Sequence, residues 1–242
     1  MTLQKKMTVR CPKCGEALDV EVWPSVNAEE SPEAAERLRT GDLFLIRCPK
    51  CGNESMGNYS VLYTDRPHRR MIQYVAAETP EEENQSVLEY RAARLDMIAK
   101  LRETDPESAT EFESIPYRIV LTLNDLREKA IIAASGLDDR YVELVKAYML
   151  PAVRDMRPEL GVAEIRFFED EGKKLLVFLN GDGADVGSCD FDQKSYDAFA
   201  DGLVFKADDT DMIGPAWAKD VLATLFEKFS KGKEEKPEGK AE

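Results

Sequence analysis

Residues 18–22 alternate strictly: Leu18, Val20 and Val22 are apolar while Asp19 and Glu21 are acidic. A period of two predicts a half-buried strand, which Pro24 should end. Ser31 followed by Pro32 makes an N-cap and first-turn pair, residues 34–39 favour helix, and Gly41 offers a stop. A short helix is therefore expected over 32–39. The apolar run 43–46 reads as a strand, as do 59–63 and 71–75.

Residues 78–85 turn polar and acidic, as a solvated linker does. After it, Leu88, Ala92, Leu95 and Ala99 recur at helical spacing and predict a helix with one packing face over 86–103. Two more helices follow, one from Asn124 as N-cap to Gly136, the other from Asp138 and stopping before Pro151. The last third changes texture, with strands over 164–168, 174–179 and 186–191 and helices over 193–200 and 215–229. From Ser230 the chain is rich in Lys, Glu, Gly and Pro and reads as disordered.

Cysteine usage sharpens this outline. Arg10-Cys-Pro-Lys-Cys-Gly15 recurs as Arg47-Cys-Pro-Lys-Cys-Gly52, and the fifth cysteine, Cys189, stands alone. Two residues between thiolates form a tight turn that aims both sulfurs at one ion, and two such turns complete a tetrahedron of soft ligands. Pro12 and Pro49 preset φ inside each turn, while Gly15 and Gly52 tolerate the positive φ needed just after it. Cys11, Cys14, Cys48 and Cys51 are thus the expected ligands of one structural Zn²⁺. Arg10, Lys13, Arg47 and Lys50 surround them with positive potential that favours thiolate. Four thiolates close the shell, whereas a catalytic ion keeps an open position and recruits His or carboxylate ligands. The single histidine, His68, reads as an exposed loop residue rather than a ligand.

The resulting fold class is α+β. A zinc-ribbon-like β module with a helical insertion is expected over 8–79 and middle helices over 80–152. A C-terminal α+β lobe is expected over 153–230 and a disordered tail over 231–242.

The formal net charge is −14, yet residues 1–79 carry eleven Lys and Arg against eleven Asp and Glu, so the excess lies wholly beyond residue 79. That sign disfavours polyanion partners, and Arg66, Arg69 and Arg70 form the one local candidate patch for a phosphate or acidic partner. No apolar stretch is long enough to span a membrane and the first ten residues lack a secretory apolar core, so a soluble cytoplasmic protein is expected. Phosphate-cradling glycine loops, Gly-x-Ser-x-Gly elbows and His-Glu-x-x-His helices are all missing from the sequence. Cys189 reads as a small buried residue. The run Asn180-Gly-Asp-Gly-Ala-Asp185 reads as a strand-connecting turn, because its twelfth position is Phe191 and not Glu. Asp208, Asp209 and Asp211 read as a solvated loop.

The doubled Cys-Pro-Lys-Cys-Gly resembles the CpXC family, a largely bacterial and archaeal group named for two Cys-Pro-x-Cys motifs. Asn27-Ala-Glu-Glu-Ser-Pro-Glu, Gly41-Asp-Leu-Phe44 and Leu62-Tyr-Thr-Asp65 support the resemblance over about residues 9–130, with Leu126-Arg-Glu-Lys129 and Gly136-Leu-Asp-Asp139 similar too. From about 155 onward nothing is similar. The resemblance implies zinc-ribbon-like metal binding at the four cysteines and supplies no catalytic residue.

Four functions remain open at this point, the last of them nucleic-acid binding through Arg66, Arg69 and Arg70. The first is an intracellular, non-catalytic zinc protein that serves as a scaffold for a protein partner. The second is a redox switch in which oxidation pairs Cys11 with Cys14 and Cys48 with Cys51 and expels the ion. The third is an enzyme with its site near Asp182, Asp185 and Cys189.

Overall fold

The computed structural model describes residues 1–205 and 210–234, the last seven of these as backbone only. It bears out the α+β class and divides into two compact units, residues 1–136 with 205–212, and residues 137–204 with 213 onward.

Unit 1 is built on a five-stranded sheet. Strand β1 (Leu3–Arg10) pairs antiparallel with β2 (Ala17–Asn27). The far end of β2 then pairs in parallel with β5 (Val61–Asp65). Strand β6 (Arg70–Tyr74) is antiparallel to β5, and β7 (Tyr117–Val120) adds in parallel to β6. The short strands β3 (Leu45–Arg47) and β4 (Glu54–Met56) form a separate hairpin.

Pro24 does not end β2. The register with β1 slips between Leu3 and Lys5, opposite Pro24, and beyond it β2 takes β5 as partner. A proline at such an irregularity loses no ladder bond, which is why the strand passes through it.

The alternation of side chains across the pleat sorts the core into two layers. On one face Val26, Val61, Tyr63, Ile72, Tyr74 and Val120 meet helix α1 (Pro32–Thr40) and helix α4 (Leu123–Ala134), through Ala35, Leu38, Leu126 and Ala130. On the other face Met71, Val75, Tyr117 and Ile119 meet Val87 and Tyr90 of α2 (Pro80–Thr104) and Phe112 of α3 (Pro106–Ser114). Strand β6, flanked by β5 and β7, is therefore buried along its whole length.

Helix starts follow side-chain caps: Thr79 accepts from the amide of Glu82 and Asp105 from that of Ser108. Helix α4 is capped by Thr122, two residues ahead of the expected Asn124. Near the end of unit 1, Asp211 is not a solvated loop residue. Both its carboxylate oxygens hold Arg91, at 2.6 and 2.7 Å, and its carbonyl accepts from the amide of Ile119 on the outer strand β7. Asp208 and Asp209 lie outside the described residues.

Unit 2 contains a three-stranded antiparallel meander, β8 (Val162–Asp170), β9 (Lys173–Asn180) and β10 (Asp185–Asp190). Helix α5 (Asp139–Met156) packs against β8, α6 (Gln193–Gly202) and α7 (Pro215–Glu234). Phe167 on β8 and Phe191 just after β10 meet edge to face with centroids 5.2 Å apart. Asp138 caps α5 as expected, accepting from the amide of Arg140. The helix does not stop at Pro151. Its last turn is fixed to β8 by Arg154, which donates to the carbonyls of Val162 and Ala163 at 2.7 and 2.8 Å, and Val153 is buried there. These contacts outweigh the lost amide of one proline. The end of α7 extends to Glu234, and the tail beyond it lies outside the described residues.

Two further elements, α3 and β7, lie between the expected helices. At nine and four residues they are too short to carry a readable period.

The insertion helix α1 is clamped from α4. Arg127 donates to the carbonyls of Arg39 and Thr40 at 3.1 and 2.8 Å, satisfying acceptors that the helix end leaves open. Replacing Arg127 with Ala is expected to cost about 1–3 kcal/mol, as loss of charged hydrogen bonds does. In urea unfolding this should appear as a lowered midpoint with an unchanged slope.

Candidate metal centre

Each Cys-Pro-Lys-Cys turn sits at the tip of a hairpin. The first joins β1 to β2 and the second joins β3 to β4. The two turns are built alike. In the first, the amide of Cys11 donates to the carbonyl of Glu16 at 2.8 Å and that of Gly15 to the carbonyl of Cys11 at 2.9 Å. In the second, Cys48 donates to Asn53 and Gly52 to Cys48, both at 2.9 Å. Gly15 has φ +72° and Gly52 φ +68°. No neighbouring atom would meet an added Cβ at either position, so the backbone angle alone requires glycine.

The doubled turn brings the four sulfurs into one group, all within 4.8 Å of one another. The close approaches run across the turns: Cys11 Sγ to Cys51 Sγ is 3.7 Å and Cys14 Sγ to Cys48 Sγ is 3.6 Å. An ion bonded to four sulfurs at about 2.3 Å in a tetrahedron sets them about 3.8 Å apart. The observed separations fit that shell, and the four cysteines form a group able to hold one metal ion.

Acidity in the group supports the same reading. The amide of Cys14 donates to the Cys11 sulfur and, with the amide of Lys13 and the adjoining thiols of Cys14 and Cys51, lowers it to about 7 against the cost of burial. For Cys14 the amide of Glu16 acts in the same sense. Burial and the sulfurs of Cys51, Cys11 and Cys48 outweigh it and push that thiol up to about 12. Cys11 and Cys14 are thus shifted in opposite senses. Packed thiolates repel one another, and a divalent cation relieves that repulsion.

The surroundings are mixed. Beneath the sulfurs Cys11 and Cys48 are buried against Leu18, Val9, Val20 and Ile46, while Cys14 is exposed and Cys51 half-buried. Above them two of the four cations of the expected basic collar, Lys50 and Arg47, are compensated by carboxylates. Lys50 bridges to Glu16 of the opposite turn at 2.5 Å, Arg47 pairs with Glu54 at 2.8 Å, and Arg10 donates to the carbonyl of Gly15 at 3.3 Å. Glu16 is the residue that sequence reasoning passed over. Its charge, opposite to that of Lys50 in the second copy, was the available signal.

The remaining candidates are placed elsewhere. His68 is in the β5–β6 turn with its Nδ1 held by the buried Asp65 at 2.8 Å, and it is not in the sulfur group. The three arginines beside it do not form an open anion patch. Arg66 pairs with Glu111 through two nitrogens, Arg69 donates to the carbonyl of Ser114, and Arg70 is buried. Residues 180–185 make the expected turn, with the side chain of Asn180 accepting from the amides of Asp182 and Ala184. Cys189 is half-buried on β10, where burial and then Asp190 and Asp192 push its thiol up, away from the nucleophilic form. Among the described residues, no helix is long and apolar enough to cross a membrane.

A model of the family described as CpXC protein matches residues 9–146, from the end of β1 into α5. No curated protein and no solved structure matches the chain. With more than half of its length inside the matched stretch, and both Cys-Pro-Lys-Cys turns closing on one group of sulfurs, the chain belongs to the CpXC family.

Proposed function

We propose that Cys11, Cys14, Cys48 and Cys51 hold one structural Zn²⁺, and that the protein is a non-catalytic cytoplasmic scaffold for a protein partner. The carrying observation is the convergence of two like-built turns on four sulfurs at tetrahedral spacing. A tetrahedral all-sulfur site suits zinc or iron. A shell filled by four thiolates leaves no position for a reacting water and holds too much negative charge for a strong Lewis acid. The ion's work is then to fasten the β1–β2 hairpin to the β3–β4 hairpin. An acidic chain disfavours nucleic acid, so a protein surface is the fitting partner.

Native mass spectrometry of protein purified under reducing conditions is expected to show one zinc per chain. In Cys14→Ser that zinc should fall below stoichiometry and the thermal midpoint should drop, since binding at such sites is worth about 10–16 kcal/mol of folding free energy. Bare polypeptide in the parent, or the visible absorption of an iron–thiolate centre, would overturn the assignment.

The glycines test the geometry separately. Gly52→Ala places a side chain at φ +68°, a left-handed conformation that costs about 1–2 kcal/mol. Competition with a chromophoric chelator should show zinc held about tenfold more weakly in this variant than in the parent.

The exposure of Cys14 favours a second reading, a zinc–thiolate redox switch, because an oxidant can reach that sulfur. Two contacts of disulfide-forming sulfurs run across the turns, Cys11 to Cys51 at 3.7 Å and Cys14 to Cys48 at 3.6 Å, and make cross-turn pairs the ones to look for. Each pair of zinc-bound thiolates gives two electrons to one peroxide, which takes two protons from solvent to become two waters, and a disulfide forms. On this reading mild peroxide releases zinc as four thiols disappear, and mapping should find cross-turn pairs; zinc retained at modest excess of oxidant rejects the switch.

A further inference from the structure

Unit 2 contains a cleft of about 580 Å³ among α5, β8 and the first turns of α7, within the range of roughly 300–1,000 Å³ typical of small-molecule sites. It is distinct from the region of Asp182, Asp185 and Cys189, none of which lines it. The space exists because each of the three elements presents an alanine to it: Ala147 from α5, Ala163 from β8 and Ala216 from α7. Larger side chains there would fill it, as protein interiors ordinarily are filled.

The walls are apolar. Leu150 and Pro151 follow Ala147 along one stripe of α5, and Ile165 and Pro215 face them. At the floor Lys146 Nζ and Glu143 Oε1 pair at 3.1 Å, with side chains only 6% and 3% exposed, so the floor adds no net charge. Glu164 is neutralised by Arg166 at 2.6 Å.

The rim is different. Arg154 spends its donors on the carbonyls of Val162 and Ala163, which leave its charge uncompensated. Lys219 is exposed, and among the described residues neither of these two cations has a carboxylate partner. Two uncompensated cations at an apolar cleft stand out on a chain of net charge −14, where acid groups are abundant.

We propose that this cleft binds a small amphiphilic anion, a carboxylate with an aliphatic or aromatic body. The body lies against Ala147, Leu150 and Ile165, and the carboxylate sits at the rim supplied by Arg154 and Lys219. Burial of the apolar part supplies affinity, and the rim charges set the sign of the head group. The inference does not depend on which metal the cysteines hold.

The test uses the whole 242-residue chain, purified under reducing conditions, and 1-anilinonaphthalene-8-sulfonate, an apolar anion whose fluorescence rises on burial. Saturable binding of one probe per chain is expected. Decanoate below its micelle concentration should displace the probe, whereas decyltrimethylammonium, with the same tail and the opposite head, should not. Lys219→Glu, an exposed change that leaves the helix intact, should weaken the probe about tenfold. Ala216→Phe, which fills the mouth from an exposed position, should abolish binding with the circular dichroism spectrum unchanged. Probe binding that survives both substitutions, or displacement by both detergents alike, overturns the proposal.

Discussion

The arrangement of the sulfurs imposes the strongest constraint on this molecule. Four cysteine sulfurs within 4.8 Å of one another cannot all carry charge unaided, and the opposite shifts of Cys11 and Cys14 express that conflict. A tetrahedral cation resolves it. The free energy of such binding, on the order of 10 kcal/mol, is comparable to the whole stability of a typical domain. The short β3–β4 hairpin illustrates why this matters. Its strands are three residues each and form no ladder with the main sheet, and an isolated hairpin of that size is marginal in water. An ion held by the four cysteines would fasten it to the β1–β2 hairpin.

The rest of unit 1 spreads outward from that fixed end. Strand β2 is paired to β1 near the sulfurs and to β5 further on, so the same strand carries the order of the metal end into the layered core. Helix α1, inserted between the two cysteine turns, packs on the sheet and is clamped by Arg127. The long loop between the two cysteine pairs is therefore structured, which limits the conformational entropy of bringing the turns together.

Much of this was legible from the chain. The repeated hexapeptide identified both turns, and their backbone bonds agree to the same residue offsets. The alternation at 18–22 and the Ser31–Pro32 start likewise led to β2 and α1. What stayed hidden was decided by tertiary partners. Pro24 looks like a terminus until the change of strand partner is known, and Pro151 until Arg154 is seen on β8. Strand β7 has four residues and no alternation of polar and apolar positions, because it is covered on both faces. Arg66 looked like part of an open cationic patch and Asp211 like a solvated charge for a similar reason: their partners, Glu111 and Arg91, are 45 and 120 residues distant in sequence.

The metal group and the cleft also differ in how the chain encodes them. The sulfur site lies wholly inside the stretch matched by the family model, and its chemistry is closed, since every ligand position is filled by the protein. The cleft begins inside that stretch, at Glu143 and Lys146, but its alanines, prolines and both rim cations come from beyond residue 146. A shell closed by four thiolates, as proposed for the cysteines, would have nothing to offer a variable ligand. An open apolar cleft with a cationic rim can hold one. On the two readings proposed above, the four cysteines of unit 1 would secure shape through one ion, and the cleft residues of unit 2 would choose what is bound.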